Sequence, residues 1–166
     1  MKLLADATDA PKPKTPNAQY VAWGVAAVFM VMAVAQLFAF EDFPAVIEDF
    51  WLSLDDRGVQ LLAAIIVTLE VTALPFLLSM RLSLLARIVS MIAGWLVIAI
   101  WLGLLLWQNV SVNVIANNGL LGETIALPVG AWSVLFMLTL AVAMAWASWG
   151  MFPYRTPAKV KKKARG

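Results

Sequence analysis

The chain has no cysteine and no histidine among its 166 residues. That removes disulfides, thiol redox chemistry, iron–sulfur clusters, His-ligated haem and the usual zinc sites. Charge is also scarce. Asp, Glu, Lys and Arg make up 13% of the chain, while 63% is hydrophobic and the mean hydropathy is +0.86. An ordinary soluble domain is about 25% charged and about 45–50% apolar. With so little polar surface the chain reads as an integral membrane protein. It contains no nucleotide-binding loop and no paired catalytic carboxylates, and without histidine it has no Ser-His-Asp set. No cofactor and no metal are expected, and an enzymatic role is disfavoured.

Four long apolar runs stand out, at about 20–40, 59–80, 82–107 and 127–149. Each reaches the ~20 residues that a helix needs to cross the hydrocarbon. They are continuously apolar rather than alternating, which points to helices and not to barrel strands. The expected fold is an all-α membrane four-helix bundle over 20–150. A polar tail, 1–19, precedes it and a basic tail, 151–166, follows. Pro11, Pro13 and Pro16 interleave with Lys12 and Lys14, so the first tail is expected to be disordered. No short apolar signal core follows the start, and the first run is expected to act as a signal anchor. Arg81 marks a tight hairpin between the second and third runs. Pro75 is expected to kink the second helix, and Pro128 to open the fourth.

Basic residues set the expected orientation. Lys2, Lys12, Lys14, Arg81, Arg87 and the C-terminal cluster fall on one side, and Arg57 alone on the other. The positive-inside rule then places both termini in the cytoplasm, which an even number of spans allows. The first external segment, 41–58, carries Phe43, Ile47, Phe50, Trp51 and Leu54 on one helical face and acids on the other. This predicts a short amphipathic helix on the outer membrane surface, ended by Gly58. Seven of the ten acids are external, and their spacing is not that of a calcium loop.

Glu70 is the only acid inside an apolar run. A charged side chain at the centre of a membrane helix costs roughly 2.5–3.5 kcal/mol on insertion scales, so such a residue faces protein or water rather than lipid. At 1.5 Å per residue, Thr139 and Ser90 fall within roughly 5 Å of its depth, and Gln36 roughly 10 Å nearer the outside. The structural reading is a protonated carboxyl bonded to Thr or Ser across helices. The functional reading is a proton or ligand site built from Glu70, Gln36, Ser90 and Thr139. Small residues at four-residue spacing, Ser90/Gly94, Ala141/Ala145 and Ala143/Ala147, allow close helix contact. The C-terminal cluster of Lys159, Lys161, Lys162, Lys163 and Arg165 is expected to bind anionic lipid headgroups, and its lack of interleaved aromatics argues against nucleic acid.

Ala35-Gln36-Leu37-Phe38 followed by Phe43, Leu69-Glu70, and Asn118-Gly119-Leu120-Leu121-Gly122 lie in this four-span layout. Together they resemble the MauE/DoxX-like group of small bacterial membrane proteins, over about 21–150. MauE-type members commonly carry a Cys-Gly-Cys-Phe-Gly-like motif before the fourth span. In this register Gly119 and Gly122 remain, while Asn118 and Leu120 stand where cysteines would be. The resemblance implies a plasma-membrane scaffold without thiol–disulfide activity, acting as an accessory beside membrane or periplasmic oxidoreductases. Three functions are compatible with the sequence: a non-enzymatic accessory or assembly factor with a protein partner, a small proton-coupled transporter using Glu70, and a quinone- or lipid-binding redox protein with Trp95, Trp101 and Trp132 around an apolar pocket.

Overall fold

The computed structural model describes residues 7–50, 55–110 and 117–152. Its helices are α1 (Pro16–Phe38), α2 (Phe43–Glu48), α3 (Asp56–Leu77), α4 (Leu84–Val110) and α5 (Ala131–Met151). Four of them, α1, α3, α4 and α5, are long and apolar enough to cross a membrane. They pack in chain order as a ring, α1 on α3, α3 on α4, α4 on α5 and α5 back on α1. The start of α1, the α3–α4 turn and the end of α5 share one end, here the tail end. The opposite end, the loop end, carries α2 and residues 117–130.

The helix starts follow local chemistry. The Thr15 hydroxyl accepts the Ala18 N–H, with proline at the first helical position. Asp55 accepts the Gly58 N–H at 3.0 Å. Gly58 therefore lies in the first turn of α3 and does not end the preceding helix, contrary to the expectation from sequence. The fourth spanning helix starts at Ala131, later than the expected 127. The Asn118 N–H bonds the Leu127 carbonyl at 2.8 Å, and Leu127 donates to Asn117 Oδ1, which keeps Leu127 and Pro128 out of the helix.

Apolar side chains from all five helices form one core, including Phe29, Ile66, Val97, Met137 and Met144. Others, such as Val34, Leu61, Leu96 and Val142, face outward, where lipid replaces water. Lipid gives no hydrophobic drive between helices, so contact rests on close packing and hydrogen bonds. A Cβ at Gly94 would lie 2.6 Å from Met144 Cε and 3.4 Å from Ala73 Cβ, so the Ser90/Gly94 pair does mark a helix contact. Ala147 is also buried, whereas Ala145 is exposed.

Pro75 lies inside α3, and Ser90 of α4 inserts beside it. The Ser90 hydroxyl accepts the Phe76 N–H at 3.0 Å and donates to the Thr72 carbonyl at 2.6 Å. Phe76 and Thr72 are an i, i−4 pair, so a side chain is spliced into the hydrogen-bond ladder next to the proline. Ser90→Ala is expected to cost about 1 kcal/mol in mixed-micelle unfolding, the usual scale of an interhelical polar contact in a membrane.

The N-terminal stretch departs from the expected disorder. Thr8 pairs with Leu82 as an isolated β-bridge, and the Lys14 N–H bonds the Gly150 carbonyl at 2.9 Å. Arg87 points toward the tail end and donates to the carbonyls of Thr8 and Asp9. Burial leaves that guanidinium with few other acceptors, and this N-terminal strap supplies them. Asp9 and Arg81 form an ion pair at 2.8 Å, but both side chains are about three-quarters exposed. Arg81→Ala is therefore expected to shift stability by less than about 1 kcal/mol, and a larger loss on unfolding would show the strap to matter more than its exposure implies.

The helix after α1 is shorter than predicted. Asp42 precedes it, Pro44 sits in its first turn, and it ends at Glu48. Phe43, Ile47 and Phe50 are buried in the shared core, so that face is turned to protein rather than to a lipid surface. Trp51 and Leu54 fall outside the described residues, as does the basic cluster from Lys159 to Arg165.

Candidate functional site

Glu70 is fully buried on α3. One oxygen, Oε1, accepts two hydrogen bonds, from Trp101 Nε1 of α4 at 3.1 Å and from Gln36 Nε2 of α1 at 3.3 Å. The same Gln36 nitrogen donates to the Leu120 carbonyl at 3.1 Å. Three helices and one loop therefore meet at a single carboxyl. The other oxygens of the pair, Glu70 Oε2 and Gln36 Oε1, are buried without a hydrogen-bond partner among the described residues.

The loop is built to reach this point. Gly119 (φ +75°) and Gly122 (φ +59°) both occupy the left-handed region, where a Cβ is strained. Space for a side chain is tight as well. A Cβ at Gly122 would lie 3.2 Å from Gln36 Cα, and one at Gly119 would lie 3.2 Å from Val46 and 3.3 Å from Trp101. Just before them, the Asn118 side chain accepts the Leu120 N–H at 3.1 Å. Asn117 accepts from the Gly119 N–H and donates to the Gly122 carbonyl at 2.8 Å. Thr124 ties the far side of the loop to the Ala35 carbonyl at 2.7 Å. Gln108 Oε1 and Asn118 Nδ2 are two further buried polar atoms without partners among the described residues.

The structure brings together Glu70, Gln36 and the loop residues Asn118, Gly119, Leu120 and Gly122. It does not bring in Thr139 or Ser90. The Thr139 hydroxyl bonds the Leu135 carbonyl of its own helix on an exposed face, and Ser90 serves the Pro75 break. Similar depth alone does not choose partners. Side chains tilt toward the N-terminus of their helix. Glu70 on descending α3 leans toward the loop end, Gln36 on ascending α1 leans down to meet it, and Ser90 on ascending α4 leans away. Trp101 is the site residue that sequence reasoning missed in this role; its N–H, a donor that needs an acceptor when buried, was the available signal.

The three tryptophans do not share a pocket. Trp95 faces outward and donates to Ser148 at 3.2 Å, and Trp101 is sealed against Glu70. Trp132 instead lines an apolar groove of about 360 Å³ between α1 and α5, with Val28, Val31, Met32, Leu120 and Phe136. Among the described residues no cluster of acids has the grouping needed to hold a metal ion. No protein-family model matches the chain, and neither a curated protein nor a solved structure matches it.

Proposed function

We propose that this chain is a non-enzymatic accessory or assembly subunit for an oxidoreductase system of a bacterial or archaeal plasma membrane. In this reading both tails are cytoplasmic, the loop end faces outward, and the basic C-terminal cluster rests on anionic lipid. The observation that carries the proposal is the fastening of the 117–122 loop to the membrane core through Gln36 and Glu70. The fastening gives a docking protein a fixed outer surface, on a chain that has no cysteine or histidine with which to run redox chemistry itself. The resemblance to MauE/DoxX-like proteins supports the same role. Affinity purification from native membranes in mild detergent tests it. A stoichiometric membrane or outer-face protein is expected to copurify, and recovery as an isolated monomer under all native conditions would count against the reading.

The α1–α5 groove favours a second reading, a protein that seats a lipid or quinone tail. Solvent extraction of the purified protein is then expected to release a hydrocarbon-tailed ligand, which Val31→Trp should exclude by filling the groove. Equal yields from both proteins would reject this reading.

A further inference from the structure

We propose that Glu70 and Gln36 together form a proton-binding site, in which the neutral Glu70 acid and the Gln36 amide make a cyclic pair that anchors the outer loop. The Leu120 carbonyl only accepts, so the Gln36 atom facing it at 3.1 Å must be the amide nitrogen. That fixes the orientation of the whole amide and leaves Gln36 Oε1 on the other side. The Trp101 indole only donates, so Glu70 Oε1 is an acceptor, and it takes the Gln36 N–H as well. Two atoms are then left over, Glu70 Oε2 and Gln36 Oε1, both oxygens and both buried. Neither can satisfy the other while both only accept.

A single proton on Glu70 Oε2 resolves both. It makes that oxygen a donor toward Gln36 Oε1, and the acid and the amide then exchange one hydrogen bond in each direction. The second Gln36 N–H remains on Leu120. Every polar atom of the two side chains is thereby satisfied, as burial demands. Among the described residues the surroundings supply no alternative counter-charge. The groups bonded to Glu70 are the Gln36 amide from α1 and the Trp101 indole from α4, and the loop contributes the Leu120 carbonyl, all neutral. Arg87, the other buried charged residue among those described, lies on α4 roughly 20 Å along the axis from Trp101 and is held by the strap. An ionised carboxylate here would be an unpaired buried charge, which proteins avoid.

The site has a mechanical consequence. Gln36 is the shared element, bonded to Glu70 with one side of its amide and to the loop with the other. Loss of the proton sets two acceptors against each other and pulls on the amide that holds Leu120. The membrane-buried proton thus controls how firmly the outer loop is seated.

Infrared difference spectroscopy of the full chain in liposomes tests this at neutral pH. Wild type is expected to show the carbonyl stretch of a protonated carboxyl, shifted in heavy water. Glu70→Gln should lose that band and keep the fold, because a second amide reproduces the acid's donor and acceptor. Gln36→Leu should move the band to higher frequency as its acceptor disappears. A native cysteine-free background allows a second readout. Leu120→Cys keeps the backbone carbonyl that Gln36 binds and places one thiol at the seat of the loop. Its labelling by an impermeant maleimide is expected to be equally slow whether Glu70 is intact or carries Glu70→Gln. With Glu70→Ala it should be about tenfold faster, the scale of one lost hydrogen bond in local opening. An absent carboxyl band in folded wild type would overturn the proton site. An unshifted band in Gln36→Leu would overturn the pairing, and unchanged labelling in Glu70→Ala would overturn the anchor.

Discussion

Trp101→Ala is expected to be the most damaging single substitution, at about 3–5 kcal/mol in reversible unfolding from mixed micelles. The side chain is completely buried and is among the largest in the core. Because no part of it faces the bilayer, lipid cannot flow in to fill the space it leaves. Its removal also strips Glu70 Oε1 of one donor. Trp101→Phe separates the two effects. Phenylalanine restores most of the packing but not the N–H, so the loss should fall to about 1 kcal/mol, the worth of one hydrogen bond whose acceptor keeps a second partner. Equal losses for both variants would mean that the indole N–H, rather than ring volume, accounts for most of the cost.

The second large effect is expected at Gly122. Gly122→Val forces a branched residue into a left-handed conformation, which costs about 1–2 kcal/mol. It also drives a Cβ to 3.2 Å from Gln36 Cα, a backbone atom that cannot rotate away. Overpacking of that kind typically adds about 1–3 kcal/mol. The damage should be local. Amide exchange at Leu120 and Gly122 is expected to accelerate far more than exchange in α3 or α4, since the spanning helices keep their contacts. Gly24→Ala is the matched control: nothing lies within 4 Å of its added Cβ, and alanine gains about 1 kcal/mol over glycine in a helix interior. A Gly122→Val protein whose loop amides remain as protected as wild type would remove the loop from the site.

The spans were legible because hydrocarbon thickness sets both their length and their composition. Their existence follows from the apolar runs, but the expected starts at 20 and 59 fall short of those that Thr15 with Pro16 and Asp55 set, because the capping turns are polar. Pro128 misled because Leu127 is claimed by the Asn117–Asn118 turn, a pairing across nine or ten residues that no helix signal encodes. Glu70 announced itself by its rarity. Of its partners Gln36 was among the candidates and Trp101 was not, while Ser90 and Thr139 were included wrongly, because axial counting locates Cα atoms while long side chains on antiparallel helices lean toward or away from each other. The apolar stripe on α2 was visible, but whether such a stripe meets lipid or protein depends on the neighbours, and here α3 packs on the helix and Gly119 of the loop lies against Val46. The strap at the tail end was hidden by composition, since most of its bonds are made by backbone groups that any sequence carries.

The closing contact of the ring, α1 against α5, joins the first of these four apolar helices to the fourth. Val21, Val25 and Val28 of α1 lie along the seam with Phe136, Leu140 and Ala143 of α5. During synthesis that side of α1 must wait in the bilayer until α5 has been inserted. A helix with a polar stripe would be an unstable lodger over that interval. α1 is apolar around nearly its whole circumference, with its one buried polar side chain, Gln36, near the end that emerges last. The arrival of α3 then gives Gln36 its carboxyl partner, and α4 follows with Trp101. Each newly inserted span thus brings a partner for the polar groups already in the bilayer.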